Sequence, residues 1–276
     1  MTDAAQLESV DDVRERPAEF VEALAKGLAI LEAFDARNPE MTLSEVARRV
    51  ALSPAAARRS LITLKALGYV GQRDKRFHLR PKLMTLGSSF FFSAGLDEVL
   101  QPNLRALVNE FGDASSVGTL DGDHVIYVAH HSVQRARRAT AVLGARYPAF
   151  ATSLGRVLLA GLDDERLERY LGELTPVPLT GKTITSVPAL RAELMTVRRD
   201  GYATTVDQLD YGITALAVPI RNDAGETVAA LNSSGYTGLV SPESLVRERL
   251  PVLRDVAARI AENFRRYPVL IEALRP

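Results

Sequence analysis

Two groups of residues in this sequence have the types and spacing that chemistry requires. The first is cationic. Between Thr42 and Lys82 stand Arg48, Arg49, Arg58, Arg59, Lys65, Arg73, Lys75, Arg76, Arg80 and Lys82 against only Glu45 and Asp74, in a chain whose formal net charge is zero. Lysine and arginine at that density bind polyanions, because each neutralised phosphate releases condensed counterions; the competing reading is a solvated surface on a small helical domain. The second group is polar and uncharged. Thr152-Ser153 precedes an apolar run, where the unpaired amides and positive dipole end of a helix favour an anion such as a carboxylate, or where a hydroxyl merely caps the helix.

Catalytic chemistry finds little to work with. The chain has no cysteine, hence no thiol nucleophile, disulfide or thiolate metal site. Of the four histidines, His78 and His124 stand alone, and His130-His131 are strand neighbours that point to opposite faces and cannot chelate one ion together. Each reads as a satisfied or exposed histidine rather than a metal ligand. Ser153 lacks a G-x-S-x-G setting and no phosphate-cradling glycine loop occurs. No enzyme activity, cofactor or metal is expected.

The cationic residues sit on a recognisable scaffold. Thr42-Leu43-Ser44-Glu45 is a capping box that starts a helix with Leu43, Val46, Ala47 and Val50 on one face. After Ala51-Leu52 a second helix starts, with Ser53 as N-cap and Pro54 at its first position. It runs to Leu67, burying Ala57, Leu61, Leu64 and Leu67, leaving Ala55, Ala56, Arg58, Arg59, Ser60 and Thr63 on its other faces. Gly68 ends it, and Tyr69-Val70 and Phe77 to Leu79 form a hairpin around the basic turn Gly71 to Arg76. Two helices, a short turn and a basic wing make a winged helix-turn-helix. An earlier helix, Phe20 to Phe34, carries Phe20, Leu24, Leu28, Leu31 and Phe34 at core spacing.

With 46% hydrophobic residues, the 276 residues suffice for two modest cores. Residues 1–17 read as a disordered acidic leader, 18–80 as the winged domain, 81–95 as a linker helix and 96–276 as a second domain. Nothing resembles a signal peptide or membrane span, so a cytoplasmic protein is expected. Phe90, Phe91 and Phe92 cannot all face one core, so at least one should meet another domain or subunit. The second domain opens with a helix, Leu96 to Phe111. The hairpin Ala114–Leu120 and Val125–His131 turns at Asp121-Gly122-Asp123. An arginine-bearing loop with Arg135, Arg137 and Arg138, then a strand Thr140 to Leu143, follow. Tyr147 to Phe150 breaks the chain before a helix to Ala160, with further helices Asp164–Leu171 and Val187–Asp200. Strands Tyr202–Val206, Ile213–Pro219 and Thr227–Ser233 and a final helix, Ser241 to Phe264, irregular at Pro251, complete an α+β domain with one antiparallel sheet flanked by helices.

The chain resembles the IclR family of bacterial transcriptional regulators. The residues that carry the likeness are Leu43 to Ala47, Ser53, Ala57 to Leu61, Leu64, Leu67 to Val70, Ala151 to Ala160 and Ser233 to Gly235. The resemblance implies a GAF-like effector-binding second domain, and pairing of two DNA-binding domains through the first helix. It implies that an effector lies at the loop and helix start Thr152, Ser153 and Leu154, by the acidic loop at Asp207, near Ala215, and at the strand end with Asn232 and Ser234. The acidic loop is one residue shorter than usual, and Ala215 replaces a position often polar or cysteine.

The segment Leu143 to Arg156 is similar to the branch of Pca- and Pob-type regulators, which control aromatic-acid breakdown through the β-ketoadipate route. The implied effector is a small aromatic or dicarboxylic acid. Leu143, Arg146 and Tyr147 join the candidate site: Arg146 forks onto a carboxylate with Tyr147 and Phe150 as walls, or else is a surface charge with the aromatics in the core. DNA contacts are expected from Ser44, Ser53, Ala55, Ala56, Arg58, Arg59, Ser60, Thr63, Arg73, Lys75 and Arg76. The expected partners are double-stranded DNA at a palindromic operator, a small organic acid, RNA polymerase and further copies of the chain as a homodimer or tetramer. A small-molecule sensor or enzyme whose basic module binds something other than a promoter is the alternative.

Overall fold

The computed structural model describes residues 17–35, 37–93, 96–133, 143–265 and 274. The acidic leader up to residue 16, Arg135, Arg137, Arg138 and the start of the strand expected at Thr140 lie outside them, as do the side chains of Phe90, Phe91 and Phe92. The chain divides into two compact units, Met1–Phe90 and Phe91–Pro276.

The first unit contains α1 (Glu22–Glu32), β1 (Glu40–Thr42), α2 (Leu43–Arg49), α3 (Pro54–Ala66), β2 (Val70–Arg73) and β3 (Arg76–Leu79). The Thr42 hydroxyl accepts from the Glu45 amide at 3.3 Å, and Glu45 Oε2 accepts from the Thr42 amide at 2.7 Å. Such a reciprocal cap satisfies two amides that the helix cannot, and loss of its hydroxyl typically costs about 1 kcal/mol. Ser53 Oγ accepts from the Ala56 amide at 3.2 Å to start α3. Between α2 and α3, Ala51 adopts a left-handed φ of 51° and the Leu52 amide returns to the Ala47 carbonyl at 2.9 Å. Ile30, Val46, Ala57, Leu61 and Val70 form the fully buried centre.

Three expectations for this unit are corrected. Strand β1, unforeseen, pairs antiparallel with β3 in a three-stranded sheet of order β1-β3-β2. Phe20, Leu24 and Leu28 are exposed rather than packed: the core side of α1 is carried by Ile30, Leu31 and Phe34, at and beyond its C-terminal end. Leu67 is exposed because it is the C-cap of α3 and has left the buried stripe.

A 3-10 turn (Pro81–Leu83) leads into α4 (Met84–Ser93). The second unit follows as α5 (Leu96–Phe111), β4 (Ala114–Asp121), β5 (His124–Ser132), β6 (Arg146–Pro148), a 3-10 turn (Ala149–Ala151), α6 (Ser153–Ala160), α7 (Asp164–Glu173) and α8 (Val187–Asp200). Strands β7 (Ala203–Val206), β8 (Ile213–Arg221) and β9 (Thr227–Tyr236) precede α9 (Pro242–Glu248) and α10 (Leu250–Phe264). The six strands form one antiparallel sheet in the order β6-β5-β4-β9-β8-β7.

Side-chain alternation divides this sheet between two cores. On one face Val117, Leu216 and Leu231 pack with Leu100 and Leu104 of α5 and Leu253 and Ile260 of α10. On the other, Val125, Ala217 and Ala230 pack with Leu154 and Leu158 of α6 and Leu190 and Leu194 of α8.

Two expectations change here. The Tyr147-Pro148 break is an edge strand, with Tyr147 opposite Val125 of β5; its proline is tolerated at the edge, where no ladder partner is missed. The single final helix is two, broken at Arg249, because Pro251 supplies no amide to the preceding turn and its ring crowds the carbonyl before it. Among the described residues no helix is long and apolar enough to cross a membrane.

Candidate functional site

In the first unit the cationic residues sort by what they already touch. Arg49 pairs with Asp35, and Arg76 lies 3.6 Å from Glu45. Lys65 donates to Gln72 at 2.9 Å, and Lys82 donates to the Leu67 carbonyl at 2.8 Å. Among the described residues Arg48, Arg58, Arg59, Arg73, Lys75 and Arg80 are exposed and engaged in no ion pair, two of them on α3, two on the β2–β3 hairpin, Arg48 on α2 and Arg80 just past β3. Cations left without protein partners on a helix and its wing are what phosphates can claim.

The neighbouring polar residues are not equally available. Ser44, Ser53, Ala55 and Thr63 are exposed and Ala56 and Ser60 half-buried. Ser53 is committed to its cap, and the Thr63 hydroxyl donates back to the Arg59 carbonyl at 3.0 Å. Arg76 also donates to the Glu40 carbonyl at 3.4 Å, so it supports β1 more than it reaches outward.

In the second unit a cavity opens between the sheet and the start of α6. Its floor is set by strand register. His130, Ser116, Asn232, Ala217 and Ala203 align across five strands, and Ser132, Ala114, Ser234, Ala215 and Thr205 form the next row on the same face. The whole second row and the three polar members of the first line the cavity. Tyr127 and Tyr147, edge to face with ring centres 5.2 Å apart, form an aromatic wall. Burial pushes both phenols up, with Tyr147 and Asp210 as the respective lesser causes.

The helix start is held in place by close packing. A Cβ on Gly155 would fall 2.1 Å from the Ala149 carbonyl oxygen, so only glycine lets α6 fold against the 3-10 turn before it. Thr152 Oγ1 accepts from the Gly155 amide at 2.9 Å and is the N-cap. Ser153, only 2% exposed, has a buried hydroxyl without a hydrogen-bond partner. The cap and anion readings of this pair therefore divide between its two residues. Thr152 closes the helix, and Ser153 faces the cavity beside amides that no helical carbonyl reaches.

Buried Arg156 ties this start to the opposite rim. Its Nε donates to the Phe150 carbonyl at 3.0 Å, its Nη2 to Gln208 Oε1 at 2.7 Å, and its Nη1 lies 3.3 Å from Glu193. Burial pulls its pKa down and Glu193 opposes the pull. Gln208 and Leu209 line the cavity.

Both units match profiles of known proteins. Residues 91–262 match the model for the C-terminal domain of IclR bacterial transcriptional regulators, and residues 23–74 the IclR helix-turn-helix. The chain belongs to the IclR family. Its relatives include the Pca regulon regulatory protein of Pseudomonas putida, 35% identical over 85% of this chain and 81% of the relative. The p-hydroxybenzoate hydroxylase transcriptional activator of Acinetobacter baylyi is 36% identical over 88% and 91%. An IclR homologue from Microbacterium hydrocarbonoxydans, solved in complex with 4-hydroxybenzoate, superposes with a TM-score of 0.71 at 26% identity, covering 88% of this chain and 99% of the other.

Of the effector residues expected in this IclR-family chain, Tyr147, Thr152, Ser153, Ala215, Asn232 and Ser234 line one cavity. Four others stand elsewhere. Arg146 reaches Asp121 at 3.0 Å on the exposed side of β6, which is the surface-charge alternative. Leu143 lies in an exposed turn, not a strand. Leu154 is fully buried in the core under α6, one position past the residue that faces the cavity. Asp207 adopts a left-handed φ of 54°, and its carboxylate accepts from the Gly212 amide at 2.7 Å and Thr237 Oγ1 at 2.8 Å. It shapes the loop whose next two residues line the cavity.

Sequence reasoning missed Asp113, Ser116, Tyr127, His130 and Gln208, all of which line the cavity. His130 corrects the expectation of a satisfied or exposed ring: its Nδ1 lies 2.9 Å from Ser116 Oγ, and its Nε2 is buried with no partner. Alternation along β4 and β5 was the available signal, since small polar residues on what should be a core face mark a lined space. Among the described residues no group of three metal-ligating side chains occurs.

Proposed function

We propose that the protein is a ligand-responsive regulator that binds a palindromic operator through α3 and the wing and responds to a small aromatic acid held at the start of α6. The observation that carries this is Ser153, whose buried hydroxyl lacks a partner at the N-terminal end of α6 and lines the same cavity as the Tyr127–Tyr147 wall. Buried polar groups are nearly always paired, so an unpaired one facing a cavity favours a ligand that pairs it. A carboxylate suits amides at a positive helix end, and an aromatic ring suits the wall. The Pca and p-hydroxybenzoate regulators among the relatives, and the 4-hydroxybenzoate bound by a homologue, support an aromatic acid and genes for its catabolism.

Two copies are needed to read a palindrome. The exposed Leu24 and Leu28 on α1, with exposed Phe20 and Val21 just before it, form an apolar surface that pairing of two winged domains would cover. A dimer is the basic assembly in this reading, with effector domains joining dimers into a tetramer and RNA polymerase a further partner at the promoter. The ligand acts by binding one arrangement of the paired winged domains more tightly than another, since equal affinity shifts nothing.

The test is calorimetric titration of the full-length chain with 4-hydroxybenzoate, together with an electrophoretic mobility shift on DNA flanking its own gene with and without the acid. Saturable binding of the acid and an acid-dependent shift are expected. DNA binding without a response to any aromatic acid would leave a regulator of another pathway, and absence of DNA binding would leave a sensor with a different basic partner.

A further inference from the structure

The cavity floor holds a second buried atom that the carboxylate reading leaves unused. His130 Nε2 has no hydrogen-bond partner, and like Ser153 Oγ it belongs to a side chain that lines the cavity. The two come from different walls, Ser153 from α6 and His130 from β5 in the sheet. One carboxylate seated on the helix start satisfies the serine and leaves the imidazole orphaned, and an unpaired buried polar group is destabilising. We propose that His130, positioned by Ser116, recognises a hydroxyl substituent on the acid and is the residue that makes the effector a hydroxylated one. This rests on the aromatic-acid reading above and adds which substituent the cavity selects.

The Ser116–His130 pair explains why a hydroxyl fits. Ser116 Oγ lies 2.9 Å from His130 Nδ1 and makes no other hydrogen bond among the described residues, so its proton is free to point either way. When Ser116 donates to Nδ1, Nε2 carries the ring proton and donates to the ligand. When Nδ1 donates to Ser116, Nε2 is a bare acceptor. A hydroxyl can answer both states, being donor and acceptor at once, whereas a carboxylate answers only the first.

Charge points the same way. Burial, and then His131, pull the His130 pKa below its ordinary value, so the ring is neutral at pH 7. The other charged group on the floor, Asp113, is engaged by buried Arg249 at 3.8 Å. The floor therefore offers a second carboxylate no free positive charge. Asn232 adds to the polar floor: its Oδ1 accepts from the Ser116 amide at 2.8 Å, which fixes the side chain.

The experiment is a set of equilibrium titrations of the full-length chain with benzoate, 3-hydroxybenzoate, 4-hydroxybenzoate and terephthalate. The wild-type chain is expected to bind one hydroxybenzoate about tenfold or more tighter than benzoate and terephthalate, as sites built to pair a hydroxyl reject analogues that lack it. His130→Phe should remove that preference, weakening the hydroxybenzoate about tenfold relative to benzoate. Ser116→Ala keeps the ring but not its partner, and should lower hydroxybenzoate affinity alone, by roughly three- to tenfold for one lost hydrogen bond. His130→Gln, with an amide near the Nε2 position, should retain most of the preference.

A wild-type chain that binds benzoate as well as either hydroxybenzoate overturns the inference and keeps the aromatic-acid reading. So does a folded His130→Phe or Ser116→Ala chain with the wild-type preference. Failure of the wild-type chain to bind any of the four acids overturns the aromatic-acid reading itself.

Discussion

Arg156 Nη2 donates to Gln208 Oε1 at 2.7 Å, and that bond joins the start of α6 to the loop on the far side of the cavity. The same Gln208 oxygen accepts from the Ile184 amide at 3.0 Å, and Gln208 Nε2 donates to the Lys182 carbonyl. One buried guanidinium thus sets the separation of two cavity walls. Lysine, whose donors all sit on one nitrogen, cannot span three partners that the guanidinium reaches with three separate nitrogens. Arg156→Lys is expected to destabilise the second unit by roughly 2–3 kcal/mol, the scale of charged hydrogen bonds lost from a buried site, and to weaken effector binding. Urea denaturation and effector titration of the same variant measure both; a variant with wild-type midpoint and affinity refutes the clamp.

In the proposed reading, DNA readout divides between α3 and the wing. Arg58→Ala should cost about 1–3 kcal/mol and change sequence preference where the residue reads a guanine, whereas Lys75→Ala should weaken all sequences alike and lower the salt dependence by about one phosphate. Fluorescence anisotropy on an operator and on scrambled DNA at several salt concentrations separates the two. Unchanged binding by both variants would sink the assignment of α3 and the wing.

Pairing through α1 predicts that Leu24→Glu with Leu28→Glu converts the assembly to a smaller species and weakens operator binding at least tenfold, because each half-site is then held alone. Light scattering and operator titration report it. Both leucines are exposed in the isolated chain, so the melting temperature of the winged unit should hardly move.

Ser153→Trp should fill the cavity at the helix start. The expected phenotype is operator binding intact in the absence of ligand and no response to the acid. Normal titration with the acid in this variant would place the effector elsewhere.

The pH dependence of stability carries a signature of His130. Its folded pKa lies below the unfolded value near 6.5, from burial first and His131 second. Above about pH 6.5 both states leave the ring neutral and it contributes no difference; as pH falls through the window down to the folded pKa, the unfolded chain takes up the proton more readily and stability is lost. The His130→Gln chain should therefore lose less stability than wild type between pH 7.5 and 5.5, measured by urea midpoints. Parallel losses would show that the imidazole is not held neutral in the fold.

Much of the fold was legible because it is written locally. The Thr42–Glu45 cap, Ser53-Pro54, Gly68 and the Asp121-Gly122-Asp123 turn each fix an element through backbone geometry that a few residues dictate. A smaller part of the cavity was legible for the same reason, since Thr152-Ser153 announces a helix start, while Ala215, Asn232 and Ser234 were reached only through the family resemblance. The rest depended on long-range register. Nothing near His130 says that it will stand opposite Ser116, or that Asn232 will complete the row from more than a hundred residues away. Asp207 shows the converse. An acidic loop invites a ligand, but its carboxylate turns inward to hold Gly212 and Thr237, and only the register of that loop reveals it.

The row His130, Ser116, Asn232 crosses strands whose intervening residues, such as Val117 and Leu231, face the opposite core. Each floor position can therefore change without disturbing that second core, because successive side chains on a strand belong to different layers. The sheet thus turns one face to the lined cavity and the other to the α5–α10 core, so a substitution on the floor leaves the packing of that second core in place.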